Sequence, residues 1–515
     1  MKTSSSPRGI TALAVCALAL AALAGANSAR AGTLTVTTLN DSGPGSLRQA
    51  IATAASGDTI TFKVKGTITL TSGALAITQD LDIQGPGPNK LKISGNNASR
   101  VFVILSPNPT SPPTVTIAGV TVSDGLADGS SPMIPSTGGG MLNFASLTLS
   151  HVVLSDNEAL GDASQSSLGL PGFGEGGGVA NFGALAVADC SFTGNLARGA
   201  DGSSGMFAPG TTSGGAIVNW YDARVTGTQF TGNACQGGNG GGGPYGGSVF
   251  GGAIGNLGTL SILGSTFSQN QALAGNDNKG DASGFAFSGA IHTETFGGGP
   301  ASLKVSDSRF DHNRAIGGNG NSGMFSGSAM GGAVHVVNAS GTISGCTLDH
   351  NEALGGAGAP GAEGGWGNGG AIQMEGASVT VSNCRLEHNK ALGGPGGLGG
   401  NGGLGVGGGL TSGDGSTVDV VNTIVAFNHA QGGQGRARGA GGPGWGGGLI
   451  VGTVSGATLN LTGATVIDNL ALGGGPGGQG VGGGVYVYAP GTLTFDPTTL
   501  IAKNHASTSN ENVAP

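Results

Sequence analysis

Two histidines and two glutamates recur at one place in successive segments of this 515-residue sequence. His292 and Glu294 stand two residues apart in "AIHTE". His335 takes the place of His292 in "AVHVV", and Glu375 takes the place of Glu294 in "AIQME". Imidazole and carboxylate groups held together can bind a metal ion or transfer protons. The other interpretation is a polar patch on a solvent-facing strand, and the residues alone leave both open.

A second constellation pairs an acid with a histidine directly before a repeated asparagine. It consists of Asp311 with His312, Asp349 with His350 and Glu387 with His388, with Arg309 and Arg385 nearby. Because a repeated turn motif would reproduce these residues without any function, we interpret them as a solvated face. The glycine-rich stretches lack the regularly placed aspartates of Ca²⁺-binding repeats. We therefore predict neither a metal site nor a cofactor.

These residues sit in a repeat that is defined by an apolar residue followed three positions later by asparagine. The repeated asparagines are Asn157, Asn195, Asn233, Asn270, Asn313, Asn351, Asn389, Asn428, Asn469 and Asn504. Their spacing stays near 38 residues along the whole series. Asparagine tolerates left-handed backbone and bonds to nearby main chain, so we predict a structural ladder of stacked amides.

Each repeat also carries a GG box, as in GGAI or GGGL, upstream of its asparagine. Between the two boxes lie alternating runs such as "SLKVSDSRF", which are typical of strands with one buried face. Three short strands per repeat, with no helix between them, predict an all-β solenoid whose turns stack about 4.8 Å apart. The apolar residue of each asparagine box then forms a continuous inner column.

The glycines of this chain, 110 in all, concentrate between each asparagine and the next GG box. The length of this segment varies little, so we predict similar loops stacked on one another. Each loop carries one or two bulky residues that would hold it against its neighbours. A row that stacks on carbohydrate is the alternative, with Tyr245, Phe325, Trp366 and Trp445 as its candidate binding residues.

The two ends of the chain differ from the repeats. Residues 1–31 have a basic start, an apolar run and the sequence Ala-Arg-Ala, which predicts a signal peptide. Residues 32–137 are expected to hold the N-terminal cap and irregular first turns, with one helix in "GSLRQAIATAASG" capped by Ser46. Residues 138–506 hold the repeats, and 507–515 form a polar tail past the last turn.

Charge and hydropathy exclude two classes of partner. Removal of residues 1–31 leaves 17 basic and 28 acidic residues, a net charge of −11. An acidic chain with few aromatic residues has no electrostatic footprint for nucleic acid. No apolar run after residue 31 reaches the ~18 residues that a membrane-spanning helix needs.

The paired GGA[ILV] and FxxN boxes resemble those of polymorphic outer-membrane proteins and related secreted bacterial β-helix proteins. The opening "TVTTLNDSGPGSLRQAIATAASGDTITF" is also similar to the start of such surface proteins. The resemblance covers roughly residues 33–506. It implies a right-handed parallel β-helix of the pectin-lyase-like type, and exposure or adhesion at the cell surface.

We therefore predict a secreted or cell-surface bacterial protein, structural or adhesive, that binds an extracellular glycan or a surface protein through a repetitive face. The competing hypothesis is a polysaccharide lyase or hydrolase, which would need a cleft with paired acids. A third is a passive, protease-resistant surface layer. The similarity of the turns favours the first hypothesis, because catalysis needs one turn unlike the others.

Overall fold

The computed structural model describes residues 31–129, 136–162, 172–202, 210–241, 246–279, 284–296, 299–321, 327–452 and 455–515. The predicted signal segment up to residue 30, together with Tyr245 and Phe325, lies outside these ranges. The described chain winds into a right-handed parallel β-helix, as predicted. Each regular turn passes through five sheets, which we number I to V in chain order.

Sheets I and II form two walls of the main core. The strands of sheet I are Thr33–Val36, Asp58–Phe62, Leu81–Gln84, Thr114–Ala118, Ser146–Ser150, Ala184–Ala188, Asp222–Thr226, Thr259–Leu263, Ser302–Ser306, Ser340–Ser344, Ser378–Ser382, Thr417–Val421, Thr458–Thr462 and Thr492–Phe495. The strands of sheet II are Gly66–Thr69, Leu91–Ser94, Thr121–Ser123, Val153–Ser155, Ser191–Thr193, Gln229–Thr231, Thr266–Ser268, Arg309–Asp311, Thr347–Asp349, Arg385–Glu387, Ile424–Ala426, Thr465–Ile467 and Leu500–Ala502.

Sheet V follows the GG boxes and closes the main core. Its strands are Leu75–Ile77, Phe102–Ile104, Met141–Asn143, Val179–Asn181, Ile217–Asn219, Ile254–Asn256, Ile291–Glu294, Val334–Val337, Ile372–Glu375, Leu410–Gly413, Leu449–Val451, Val485–Val487 and Val513–Ala514. Sheets I, II and V are the three strands per turn that the alternating runs predict.

Two further sheets lie within the segments that the sequence indicates as loops. The strands of sheet III are Leu126–Ala127, Glu158–Leu160, Leu196–Arg198, Ala234–Gln236, Gln271–Leu273, Arg314–Ile316, Glu352–Leu354, Lys390–Leu392, His429–Gln431, Leu470–Leu472 and His505–Ala506. The strands of sheet IV are Gly174–Glu175, Thr212–Ser213, Val249–Phe250, Ala286–Phe287, Ala329–Met330, Gly367–Asn368, Gly405–Val406, Gly444–Trp445 and Gly480–Val481. The prediction of three strands per turn is therefore wrong, because the short strands of sheets III and IV lie outside the alternating runs on which the prediction rests.

The inner column of the asparagine boxes is buried as predicted. Phe192, Phe230, Phe267 and Phe310 are fully buried and stack in parallel, with successive ring centroids 4.8, 4.6 and 4.8 Å apart. Offset stacking of aromatic pairs adds about 0.5–1.5 kcal/mol per pair to the area they bury. This column therefore ties four successive turns together.

The asparagine ladder is continuous through the regular turns. The Nδ2 of Asn313 donates to Asn351 Oδ1 at 2.9 Å and to the Phe267 carbonyl at 2.9 Å, while its backbone N–H donates to the same Asn351 Oδ1. All ten asparagines are almost fully buried. At its first end the ladder meets Gly125, whose N–H donates to Asn157 Oδ1. These bonds satisfy backbone groups at the corner between sheets II and III.

A second, smaller core lies between sheets III and IV. It consists of Ala197, Cys235, Val249, Ala272, Ala274, Ala286, Ala315, Ala329 and Ala353. Small side chains let the two short strands approach closely. None of the cysteines in the described chain forms a disulfide; Cys346 and Cys384 instead stack in register, and the Cys346 N–H donates to Cys384 Sγ at 3.4 Å.

The glycine-rich loops are joined by main-chain hydrogen bonds along the axis. The N–H of Gly394 donates to the Gly365 carbonyl at 2.8 Å, and that of Gly403 donates to the Gly394 carbonyl at 2.9 Å. The same zigzag continues from Gly433 to Gly403. A Cβ at Gly394 would collide with the Gly356 carbonyl of the preceding turn. Glycine is required here because two peptide planes lie in direct contact.

The chain covers both ends of the β-helix, and only the C-terminal end differs from what the sequence predicts. Helix α1, Leu47–Thr53, is capped by Ser46 as expected and buries Leu47, Ala50 and Ile51 against the first turns. Residues 507–515 do not form a tail past the last turn. Their strand Val513–Ala514 pairs with Val485–Val487, and Asn512 Oδ1 accepts from Asn504, which continues the ladder. Within the described residues, no helix has the length and apolar character needed to cross a membrane.

Candidate functional site

The four candidate residues His292, Glu294, His335 and Glu375 lie on three neighbouring strands of sheet V. The strand register places His292 beside His335 and His335 beside Gln373. The expectation of a solvent-facing patch is wrong for the imidazoles: His292 is 2% exposed and His335 is fully buried.

Sheet IV is what buries the imidazoles. The ring of Phe287 stacks on His335 at 5.3 Å and 9°, and the ring of Phe250 contacts His292 at 5.0 Å. The sequence does not reveal this cover, because the two-residue strands of sheet IV leave no period in the sequence. The outward face of sheet V is therefore covered by side chains of sheet IV.

One hydrogen bond, between His292 and His335, joins two adjacent turns of the cluster, and each glutamate bonds to a residue of its own strand. The Nδ1 atoms of His292 and His335 are 3.1 Å apart, and His292 Nε2 lies 3.3 Å from Glu294 Oε2. On the next turn, Gln373 Nε2 donates to Glu375 Oε1 at 3.2 Å, which is also 3.7 Å from His335 Nε2. His335 Nε2 and Gln373 Oε1 are buried without a hydrogen-bond partner.

The surroundings of this cluster shift the pKa values of His292, Glu294 and Glu375. Burial lowers the pKa of His292, which favours the neutral imidazole. Burial is the largest single influence and would raise the pKa of Glu294, but the hydrogen bond to His292 and the electrostatic attraction of His292 and His335 together lower that pKa below its ordinary value. The pKa of Glu375 is also lowered despite its burial, by the nearby His335 and by the hydrogen bond from Gln373. The cluster therefore sets the neutral imidazole of His292 beside ionised carboxylates, whose side chains are 30% and 24% exposed.

The acid–histidine pairs form an exposed ridge at the turn between sheets II and III. The rings of His312, His350, His388 and Phe427 stack along the axis, with centroids 4.9, 4.8 and 5.3 Å apart. All four residues have φ between 53° and 57°. Each histidine precedes a ladder asparagine, so the buried ladder sets the spacing of the exposed rings. The interpretation as a solvated face agrees with the exposure of these side chains.

Salt bridges fix the acids of the ridge. Arg309 binds Asp311 at 2.9 Å, and Arg385 binds Glu387 at 2.6 Å. Asp349 Oδ1 is within 2.9 Å of His350 Nδ1 and 3.1 Å of His388 Nδ1. Partial burial alone would raise the pKa of Asp349, but the bonds from His350 and His388 lower it.

A third feature is an aromatic row that sequence reasoning missed. Phe144, Phe182 and Trp220 follow directly after the last residue of three sheet V strands and stack with centroids 5.1 and 5.9 Å apart. The signal that could have found them is an aromatic residue directly after Asn143, Asn181 and Asn219, in "LNF", "ANF" and "VNW". Those asparagines form a second buried ladder with Nδ2–Oδ1 distances of 2.7 and 2.8 Å, which holds the row in place.

Phe144 and Phe182 of this row line an open groove of about 810 Å³. The lining also includes Leu105, Pro107, Pro109 and Pro112, and Thr78, Ser106 and Ser146 add hydroxyl groups. Phe144 is 40% exposed and Tyr221, at the rim, is 71% exposed. An aromatic wall with hydroxyl groups at its edge suits a ligand that has both apolar and polar faces.

The two described tryptophans among the predicted binding residues lie in or beside sheet IV. Trp366 is half-buried directly before the strand Gly367–Asn368. Trp445 is half-buried in sheet IV and stacks on Tyr486 of sheet V at 5.2 Å. Trp445 therefore takes part in the packing between sheets IV and V. Tyr245 and Phe325 fall outside the described residues.

Comparison of the sequence with protein families and with curated proteins finds no match. Several solved structures are similar at low identity. The catalytic unit of a GH87 α-1,3-glucanase from Streptomyces thermodiastaticus is 14% identical over 94% of this chain and 71% of that chain, with a TM-score of 0.41. A mannuronic acid-specific family 6 polysaccharide lyase from human gut microbiota is 10% identical over 90% and 83%, with a TM-score of 0.32. PfbA, a surface adhesin of Streptococcus pneumoniae, is 9% identical over 76% and 84%, with a TM-score of 0.26. At these identities the likeness shows the fold alone.

Proposed function

We propose that this protein is a secreted or cell-surface β-helix protein that binds an extracellular polysaccharide without cleaving it. The observation that carries the proposal is the groove lined by Phe144 and Phe182, which belong to an aromatic stack that Trp220 continues on the next turn. The apolar faces of sugar rings pack on aromatic side chains, and their hydroxyls bond to polar groups at the edge. The predicted signal peptide and the resemblance to bacterial surface proteins support a location outside the cell.

The groove is also suited to an extended ligand. Successive turns are one strand spacing apart, so the aromatic row repeats with roughly the length of one sugar unit. Phe144 is the first ring of the row and is 40% exposed. Tyr221, which also lines the groove, is 71% exposed. The polymer would therefore contact the wall through Phe144 and the rim through Tyr221.

The test is affinity electrophoresis of residues 32–515 against a panel of neutral and acidic polysaccharides. Phe144→Ala and Tyr221→Ala are each expected to weaken binding at least tenfold. Phe296→Ala is the matched control, because Phe296 is 64% exposed in the same kind of turn, outside the groove. Equal binding by all three variants and wild type, or no binding to any polymer, would contradict the proposal.

A second candidate function is that of a polysaccharide-active enzyme. It is favoured by the partly exposed Glu294 and Glu375 carboxylates, each of which lies next to a buried histidine. Release of reducing ends or unsaturated uronates from the same panel, abolished in Glu294→Gln, would establish this function. The full burial of both imidazoles favours the binding role, because a polymer cannot reach them.

A further inference from the structure

Asp349 differs from the other acids of the ridge because two imidazoles contact its carboxylate. Its Oδ1 lies 2.9 Å from the Nδ1 of His350, its chain neighbour, and 3.1 Å from the Nδ1 of His388 on the next turn. The two rings are nearly parallel, 4.8 Å apart with a 14° angle between their planes. Both Nδ1 atoms thus point to one oxygen from adjacent turns.

The neighbouring turns show why this happens only once. Asp311 is bonded by the single imidazole of His312, at 3.1 Å, since His350 bonds to Asp349. Glu387 is held by two bonds from Arg385, at 2.6 and 3.2 Å, which leaves His388 to reach back to Asp349. The next residue of the stack is Phe427, which has no ligand atom.

We propose that Asp349, His350 and His388 form a binding site for one divalent transition-metal ion, with zinc as the reference ion. Within the described part of the chain, this is the only group of three or more His, Cys, Asp or Glu side chains whose ligand atoms all lie within 4.8 Å of one another. Two imidazole nitrogens and one carboxylate oxygen are a donor set that Zn²⁺ accepts, at bond lengths of about 2.0–2.2 Å. The ion would take the place now held by the hydrogen bonds between them.

The surrounding structure holds the three donors in place. The buried Asn351 and Asn389 directly follow the two histidines and link their turns with a bond of 3.0 Å. Arg309 lies 3.7 Å from Asp349 Oδ2, the oxygen that the histidines do not use, and so leaves Oδ1 to the ion. The two imidazole side chains are 44% and 46% exposed, so that water or another ligand completes the coordination.

The experiment is a Zn²⁺ titration of metal-free, untagged residues 32–515, followed by competition with a chromophoric chelator. We expect one high-affinity site per chain, and Asp349→Asn, His350→Asn and His388→Asn are each expected to weaken it at least tenfold. Asparagine is chosen for the histidines because it tolerates the positive φ of 54° and 55° at these positions. Co²⁺ added to the wild type gives a second readout, a visible d–d absorption that the same variants should lose.

His312→Asn is the matched control, because His312 occupies the same left-handed turn position one turn away but is not among the three donors. It should bind Zn²⁺ as the wild type does. Circular dichroism and thermal unfolding verify that each variant is folded, which the exposure of these side chains leads us to expect. Absence of a stoichiometric site in the wild type, or an equal loss of affinity in His312→Asn, would overturn the proposal.

Discussion

The Nδ1 atoms of His292 and His335 lie 3.1 Å apart in a layer from which water is excluded. One Nδ1 must donate the hydrogen bond and the other must accept it, so two fully protonated imidazoles cannot share this arrangement. The pair is therefore sensitive to acid, and its behaviour on acidification provides a first prediction.

The folded state should lose stability through His292 as the pH falls from 7 to 5. Burial lowers the pKa of His292 below its ordinary value of 6.5, so in this range the unfolded chain binds a proton that the folded chain does not. The advantage of wild type over His292→Gln in thermal midpoint should accordingly shrink on acidification. His505→Gln, at an exposed site, is the control and should show no such trend. A constant difference between wild type and His292→Gln would show that the imidazole is not buried in its neutral form.

Glu175 should produce the opposite dependence on pH. It lies in sheet IV, is 4% exposed, and burial raises its pKa from 4.5 to about 8. Between these values the folded chain keeps a proton that the unfolded chain releases, so stability falls as the pH rises from 5 to 8. The shift corresponds to a loss on the order of 5 kcal/mol over the whole range.

The measurement is urea unfolding of wild type and Glu175→Gln at pH 5, 6, 7 and 8. The glutamine side chain of the variant cannot ionise. The free energy of unfolding of the variant should therefore increase relative to that of the wild type with each step to higher pH. Glu511→Gln, whose side chain is 63% exposed, serves as the control. Parallel stability curves for wild type and Glu175→Gln would contradict the prediction.

The asparagine ladder should be sensitive to the loss of a single side chain. In Asn313→Ala, the N–H and Nδ2 of Asn270 lose their acceptor, and the Phe267 carbonyl loses a donor. Each buried polar group left unpaired costs roughly 1–3 kcal/mol, so a loss of several kcal/mol is expected in urea unfolding. Asn338→Gly is the control, because Asn338 is exposed, has a φ of 47°, and stands outside the ladder. A comparable effect in both variants would show that the ladder has no special role.

The residues that repeat with the turn were the ones whose places could be predicted from the sequence. The phenylalanine column and the asparagine ladder keep one side-chain type through many turns, so the repeat itself gives their position. Sheet IV could not be predicted, since its two-residue strands contain no period. Without sheet IV, the sequence pattern places His292 and His335 at the surface. In the structure, Phe250 and Phe287 of sheet IV cover them.

The sites also differ in how far the sequence indicates them. The acid–histidine turns are visible as a pattern, but the sharing of Asp349 by two histidines depends on which acid each arginine holds, and this is a matter of three-dimensional geometry. The row of Phe144, Phe182 and Trp220 was present in the sequence as an aromatic residue after each asparagine of the second ladder. The row lies outside the glycine-rich loops, to which the predicted carbohydrate-stacking residues belong.

Replacing Gly394 by alanine should destabilise the protein although it adds only one methyl group. The new Cβ would collide with the carbonyl of Gly356 on the preceding turn, and Gly394 itself bonds to Gly365 and Gly403. Because backbone atoms on both sides are fixed in the zigzag of hydrogen bonds, the strain cannot be relieved by a side-chain movement. Overpacking of this kind costs about 1–3 kcal/mol, and we expect the upper part of that range in urea unfolding. Gly299→Ala is the matched control, because a Cβ there meets no atom within 4 Å. Equal stability of the two variants would mean that the glycine-rich loops are not packed against one another, and that their glycines need a different explanation.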